Sequence, residues 1–398
     1  MLCIDSSVIG TERHLLVDDG FSWSKNVPPK FWHLSPGIKP VDNRCLNSLL
    51  RLEGLDINLS PPDKFTKPMN LILPGGARPW SLLMPQDAHR ELVERIKNEA
   101  ICNLEKIDLT YFRDVWSAGN EVLRSLLPAK VDPIRVEQIL EDSGMNRRVV
   151  EGLIPEQTGY AQPIIYDRFG TRTGRLTVRS GPGILTMKKA YRDAFVSSYT
   201  GGHIVSLDFS ALEVRVLLYE AGGHCDEADL YAYLAKKIFG GEFDRKAVKA
   251  AVIAESYGSG KTSLSQFLGI SGGKLESLIE GIRNFLGTKS LKENLSQQYW
   301  KNGFIRNRHG KKVAIDEPRT HIFVNSYAQS TGVDVSLLGF NNIIKSLTSS
   351  TGVRPLFVLH DELILDVSPL RMNDVMMSKY VDIPGYSQKF PIRASILK

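Results

Sequence analysis

Apolar and polar positions divide the chain into stretches of different period. After Pro85 and Asp87, residues Val93, Ile96, Ala100 and Leu104 recur on one face of a 3.6-residue repeat, which predicts an amphipathic helix. A second helix is predicted from Thr110 to Leu127, stopped by Pro128, and a third from Asp132 as cap, with Pro133 in the first turn, to Gly144. From about residue 160 the pattern shortens to strand and turn. There Ile204-Val205-Ser206-Leu207 forms an apolar run that ends in Asp208. Helical periodicity returns between about 226 and 295, broken at Gly240-Gly241 and Gly272-Gly273. Near the C-terminus, the runs Leu356 to Leu359 and Leu363 to Val367 flank His360-Asp361-Glu362, a predicted hairpin with acids at its tip. Residues 1–83 are rich in turn formers (Pro28-Pro29, Pro61-Pro62, Gly75-Gly76). They also hold Trp23, Trp32 and Trp80, so this segment is expected to pack rather than dangle. No function is legible in it.

Composition changes this picture little. A chain of 398 residues should form two to four packed units, and 42% hydrophobic with 24% charged residues is ordinary for a globular protein with a large core. Lys and Arg exceed Asp and Glu by 50 to 44. That mild excess fits a polyanionic partner and fits a solvated charged face equally well. The cysteines Cys3, Cys45, Cys102 and Cys225 lie far apart, so free thiols in a reducing compartment are expected rather than disulfides or a zinc cluster. The eight histidines show no metal-ligand spacing. No apolar run reaches the length of a membrane span, and Asp5 and Glu12 stand where a basic leader would be needed. The expectation is a protein that works inside a cell, unanchored.

Three elements carry chemistry. In Asp208-Phe209-Ser210-Ala211-Leu212-Glu213-Val214-Arg215, an acid leaves an apolar strand toward a helical segment. Such an acid can hold a metal, or it can simply cap the helix. At the His360-Asp361-Glu362 tip, adjacent acids between apolar strands are costly to crowd without a cation, although a polar turn is the plainer reading. If both sites converge, their carboxylates could hold divalent ions about 3.5–4 Å apart, suited to in-line phosphoryl displacement. Finally, Arg245, Lys249, Ile253 and Tyr257 recur every four residues and would form one helical stripe about 18 Å long. Two cations and an aromatic could hold a triphosphate and stack on a base, or could belong to an amphipathic surface helix. Gly258-Ser259-Gly260-Lys261-Thr262 is not a phosphate loop, because Glu255 stands where that motif needs its first glycine.

In this order the three elements resemble motifs A, B and C of family A DNA polymerases, the relatives of bacterial DNA polymerase I. Thr173-Gly174-Arg175-Leu176 is similar to the segment before motif A, and Asn325-x-x-x-Gln329-x-Thr331 to the segment before motif C. The resemblance runs from about 160 to 367. It implies an α+β right-hand fold with an antiparallel palm sheet, helical fingers and a short helical thumb. The implied division is 1–83 as an N-terminal region of unknown role, 84–160 as the thumb-like helical part, 161–225 and 299–398 as palm, and 226–298 as fingers. Carried over by position, Asp208 and Asp361 would bind two Mg²⁺ ions (Mn²⁺ able to substitute), with the Phe209 backbone and Glu362 beside them. Arg245 and Lys249 would grip the triphosphate, Lys249 acting in catalysis. Ile253 and Tyr257 would lie at the nucleotide, and Glu213 would crowd a ribose 2′-hydroxyl. Arg175, Asn325, Gln329 and His360 would touch primer–template DNA near its terminus.

There are departures from the family pattern. Ile253 stands in place of an aromatic, Lys246 in place of a second Arg, Tyr231 in place of a phosphate-contacting His, and Gly183-Ile184-Leu185 in place of Asn-Leu-Gln. The implied activity is template-directed addition of dNTPs to a primer by a monomer in the cytoplasm of a bacterial or phage-infected cell. No Asp-x-Glu exonuclease signature occurs in residues 1–83, so 3′–5′ proofreading is not expected. Two rival readings are a single-subunit phage-type RNA polymerase, which Glu213 and Glu362 argue against, and an inactive nucleic-acid-binding protein on the same fold. Retention of Asp208 and Asp361 beside Arg245, Lys249 and Tyr257 argues against the second.

Overall fold

The computed structural model describes residues 1–39, 42–72, 78–142, 147–155, 159–258, 261–348 and 351–397. The turn at Gly75-Gly76, the helix end at Gly144, and Ser259-Gly260 of the dismissed phosphate-loop motif lie outside them. The chain divides into two compact units, Met1–Asn120 and Glu121–Lys398.

In the first unit the strands Leu2–Ile4, His14–Val17, Phe21–Ser24 and Trp32–Leu34 form a four-stranded sheet, with the first strand antiparallel to the second and parallel to the fourth. Leu2, Ile4, Leu15, Val17 and Leu34 bury one face of this sheet and Cys3 is buried on the other; Trp80 is buried as well, whereas Trp23 stays about half exposed. All four cysteines are free thiols, as expected. Histidine spacing gave no hint of one arrangement, because it is made by strand pairing. Asp5, His14 and His33 come together with ligand-type atoms within 4.8 Å of one another. Asp5 accepts hydrogen bonds from the Ser7 amide at 2.9 Å, from His33 Nε2 at 2.9 Å and from Lys39 Nζ at 3.3 Å, and it caps the short helix Ser6–Ile9. The His14 Nδ1 lone pair accepts the Ser6 amide at 3.0 Å. The group is therefore a self-satisfied polar cluster.

The helix Gln86–Lys106 buries Val93, Ile96 and Ala100 of the predicted face together with Leu92, while Leu104 is only partly buried. The helix expected from Thr110 begins instead as a π-helical turn, Tyr111–Trp116, and continues as an α-helix over Ser117–Ser125. The wider turn lets Tyr111, Phe112, Val115 and Trp116 all be buried, with Phe112 stacked on Trp116. Asp132 caps the helix Pro133–Glu141 by accepting from the Ile134 and Arg135 amides.

The second unit is built on a five-stranded antiparallel sheet. Its central strand, His203–Phe209, lies between Glu362–Val367 and Lys389–Ile396, with Val353–Leu359 and Tyr380–Asp382 at the edges. Alternation along the central strand buries Val205, Leu207 and Phe209 and turns Asp208 the other way. The long helix Thr320–Leu347 crosses the buried face, where a Cβ on Gly339 would lie 2.6 Å from the Phe209 ring; only glycine permits that approach. Another core joins Val131, Val136, Ile139, Val150, Leu153 and Phe195 to Ile204, Leu356 and Phe357 of the sheet, so packing continues across residue 160.

Helices Leu230–Lys237, Arg245–Ser256, Lys261–Leu268 and Gly272–Leu286 share a separate core that includes Leu234, Val248, Val252, Leu264 and Ile279. Both predicted breaks fall between helices: Gly240-Gly241 separates two, and Gly272-Gly273 opens the helix that follows the break after Leu268. An antiparallel sheet with helices segregated from it is the expected α+β class. No helix among the described residues is long and apolar enough to cross a membrane.

Candidate active site

The acids gather where the central strand meets the hairpin tip. Asp208 does not cap the following helix, Leu212–Glu220. That role falls to Ala211, in the left-handed region at φ 54°. His360 also adopts φ 57°, which lets the chain reverse in two residues between the paired strands. The Phe209 amide donates to the Asp361 carbonyl at 3.0 Å, stitching the strand end to the tip. In the sheet, Asp208 lies opposite Glu362 on one side and Arg393 on the other.

A cavity of about 370 Å³ opens over these acids. Asp208, the Phe209 position and Asp361 form one wall, with His360 beside them. The helix Arg245–Ser256 supplies the facing wall through Arg245, Lys249 and Ile253, extended by Tyr257 at its C-terminal end. Glu213, Arg175 and Gln329 line the remainder. Asn325 holds back from the cavity and accepts a hydrogen bond from the Gln329 amide group at 2.6 Å, one helical turn away. Glu362 faces an adjoining pocket with Asp208, Lys189, Arg192 and Arg393. The Ser206 hydroxyl donates to one of its carboxylate oxygens, and Arg192 lies 3.6 Å from the other.

The charges are unbalanced in a telling way. Burial pushes the Asp208 carboxyl up to about 7, helped by the negative charges of Asp361 and Glu362 and opposed by Lys249 and Arg393. Asp361 is also raised, again chiefly by burial. Two desolvated carboxylates at one spot are poorly compensated by protein cations alone, and such a donor set fits hard divalent ions. On the opposite wall, the Arg245 guanidinium pairs with Asp229 at 2.6 Å and lies 5.7 Å from the Tyr231 ring centre. The Lys249 ammonium lies 5.8 Å from the same ring. Tyr231 is buried and its hydroxyl is pushed up to about 12, mainly by burial. Glu213 is raised by burial, against the pull of Arg175, which donates to it at 2.6 Å; the Tyr257 hydroxyl donates to its other oxygen.

Sequence reasoning missed Arg393, Arg192 and Ser206. Arg393 carries a signal in hindsight, as the one charged residue in the run Phe390–Ile396, but its partner Asp208 is distant in the chain. Arg192 and Ser206 meet Glu362 only through the tertiary fold.

Parts of this chain are similar to known proteins. The DNA polymerase of Mycobacterium phage D29 is 27% identical over 187 residues, which cover 43% of this chain and 30% of that protein. The thermostable DNA polymerase I of Thermus thermophilus is 24% identical over 353 residues, covering 80% of this chain and 41% of that protein. A solved structure of the POL domain of Pol1 from M. smegmatis, in complex with DNA primer-template and dNTP, superposes with a TM-score of 0.49 at 18% identity, covering 89% of this chain and 63% of that one. The chain thus spans under half the length of these two curated relatives. Residues 101–381, which hold all the cavity-lining residues except Arg393, match the family described as DNA polymerase family A, and the chain belongs to that family.

Proposed function

We propose that this chain catalyses template-directed addition of dNTPs to a primer 3′-hydroxyl on DNA, by nucleotidyl transfer assisted by two divalent metal ions. One observation carries the reading: Asp208 and Asp361, both desolvated, line one cavity together with Arg245 and Lys249. Asp208, Asp361 and the Phe209 carbonyl would hold Mg²⁺, with Glu362 as an outer acid already tied to Ser206 and Arg192. Ions held there would supply Lewis acidity for activating a primer hydroxyl and for neutralising charge on pyrophosphate.

The other roles belong to side chains. Lys249 and Arg245 attract and orient the triphosphate, and Asp229 fixes the Arg245 fork while Tyr231 supports both cations from beneath. Tyr257 and Ile253 border the nucleoside. Glu213, clamped by Arg175 and Tyr257, occupies space that a 2′-hydroxyl would need. Gln329, Arg175 and His360 meet the primer–template near its terminus, with Asn325 orienting Gln329. In this reading 161–225 and 299–398 form the palm, 226–298 the fingers, and 84–160 the thumb-like part, while residues 1–83 carry no proofreading site.

Primer extension with dNTPs or rNTPs, with and without Mg²⁺, tests the proposal. Metal-dependent dNTP addition is expected. Preferential use of rNTPs would favour the RNA polymerase reading, and DNA binding without extension would favour an inactive fold.

A further inference from the structure

We infer that Lys311 is a positioning residue for sugar selection, acting at a distance by holding the Thr173-Gly174-Arg175 loop so that Arg175 meets Glu213. This rests on the reading of Glu213 as the sugar gate.

Lys311 lies in the turn between the short strands Phe304–Arg306 and Lys312–Ala314 and is only 6% exposed, an unusual place for an ammonium group. Its backbone is fixed first. Asn307 and Lys311 exchange a 2.9 Å bond between the Asn307 amide and the Lys311 carbonyl, and the Lys311 amide donates to Asn307 Oδ1 at 2.9 Å. The Asn307 side chain in turn donates to Asp334 at 2.6 Å and to Ser330 at 3.1 Å, which anchors the turn on the long helix. From that anchor the Lys311 Nζ reaches the Thr173 carbonyl at 3.2 Å. Burial pulls the ammonium down to about 8, with the charge of Asp334 supporting it and that of Arg168 opposing. The hydrogen bond to the Thr173 carbonyl and the charge of Asp334 offset part of the cost of burying this cation.

Loop geometry accounts for the glycine. Gly174 has φ +83°, and a Cβ there would lie 1.8 Å from Lys311 Nζ, so any side chain would evict the ammonium. The loop is closed by the Thr171 hydroxyl donating to the Arg175 carbonyl at 2.9 Å and the Gly174 amide donating to Thr171 at 3.2 Å. Lys311 is thus the fixed point outside a closed loop whose last residue donates to Glu213 at 2.6 Å. Misplacement by about 1 Å is enough to degrade an oriented site.

The test is single-nucleotide primer extension with dNTP and rNTP by the full chain. Lys311→Met keeps the stem and removes the donor. Its dNTP-over-rNTP preference in kcat/KM should fall by about fivefold or more, while Lys311→Arg restores most of it. A general loosening would lower kcat for both nucleotides alike. If folded Lys311→Met keeps wild-type selectivity, the inference is overturned. If that variant does not fold, Lys311→Gln keeps a neutral donor one bond short of the Thr173 carbonyl and leaves the loop residues untouched; loss of selectivity then supports the inference, and wild-type selectivity overturns it. Failure of the wild-type chain to extend any primer would instead sink the polymerase reading itself.

Discussion

The Tyr257 hydroxyl donates to a carboxylate oxygen of Glu213, joining the end of the helix Arg245–Ser256 to the helix that follows Asp208. The other Glu213 oxygen accepts from Arg175 at 2.6 Å, so the carboxylate is held from two sides. A carboxylate so restrained makes a rigid steric barrier. Glu213→Ala should raise rNTP incorporation relative to dNTP by roughly tenfold or more, equivalent to about 1.4 kcal/mol or more. Any loss in dNTP efficiency should be matched by Tyr257→Phe, which removes the same bond from the other side. An unchanged nucleotide ratio in Glu213→Ala would remove the gate assignment.

Burial raises Asp208 from 3.8 to about 7. Below the ordinary carboxyl range, folded and unfolded chains both carry this proton, and the group has no effect. As pH rises toward 7, the unfolded chain releases the proton and the folded chain retains it, so stability falls; above 7 the penalty is constant. In EDTA at pH 8, Asp208→Asn should therefore melt at a higher temperature than wild type, and the difference should shrink toward pH 4. Adding Mg²⁺ at pH 8 should raise the melting temperature of wild type and leave the variant little changed. Identical melting of the two proteins at pH 8, with and without Mg²⁺, is the contrary result.

In residues 1–83 the first strand, Leu2–Ile4, is followed by Asp5, whose carboxylate is taken up by Ser7, His33 and Lys39. Burial pushes this carboxyl up, but those partners outweigh it and hold it well below the usual range. Single-stranded DNA incubated with the protein and Mg²⁺ should keep its length. Shortening that Asp5→Ala abolishes would place an exonuclease site in this unit.

Part of the candidate site was legible because some of its residues are tied to local pattern. Asp208 ends an apolar run, Asp361 sits at a hairpin tip between two others, and Arg245, Lys249, Ile253 and Tyr257 share a helical stripe. These periodicities survive without tertiary information. What the pattern could not carry were pairings made across the sheet or between distant loops: Arg393 opposite Asp208, Arg192 on Glu362, Lys311 under Thr173. The four-stranded sheet of the first unit was likewise hidden, since strands of three or four residues are too short to show alternation. Packing overrode local preference at Tyr111–Trp116, where burying four large side chains widened the helix.

Mg²⁺-dependent primer extension by wild type, Asp208→Ala and Asp361→Ala, with primer–template affinity measured in parallel, addresses the two-metal proposal most directly. Each substitution removes one of the two desolvated carboxylates from the cavity wall. Extension should fall by at least about a thousandfold in either variant, a loss of roughly 4 kcal/mol in transition-state stabilisation, with DNA affinity within a few-fold of wild type. Substantial extension by either variant would contradict the assignment of the metals to Asp208 and Asp361.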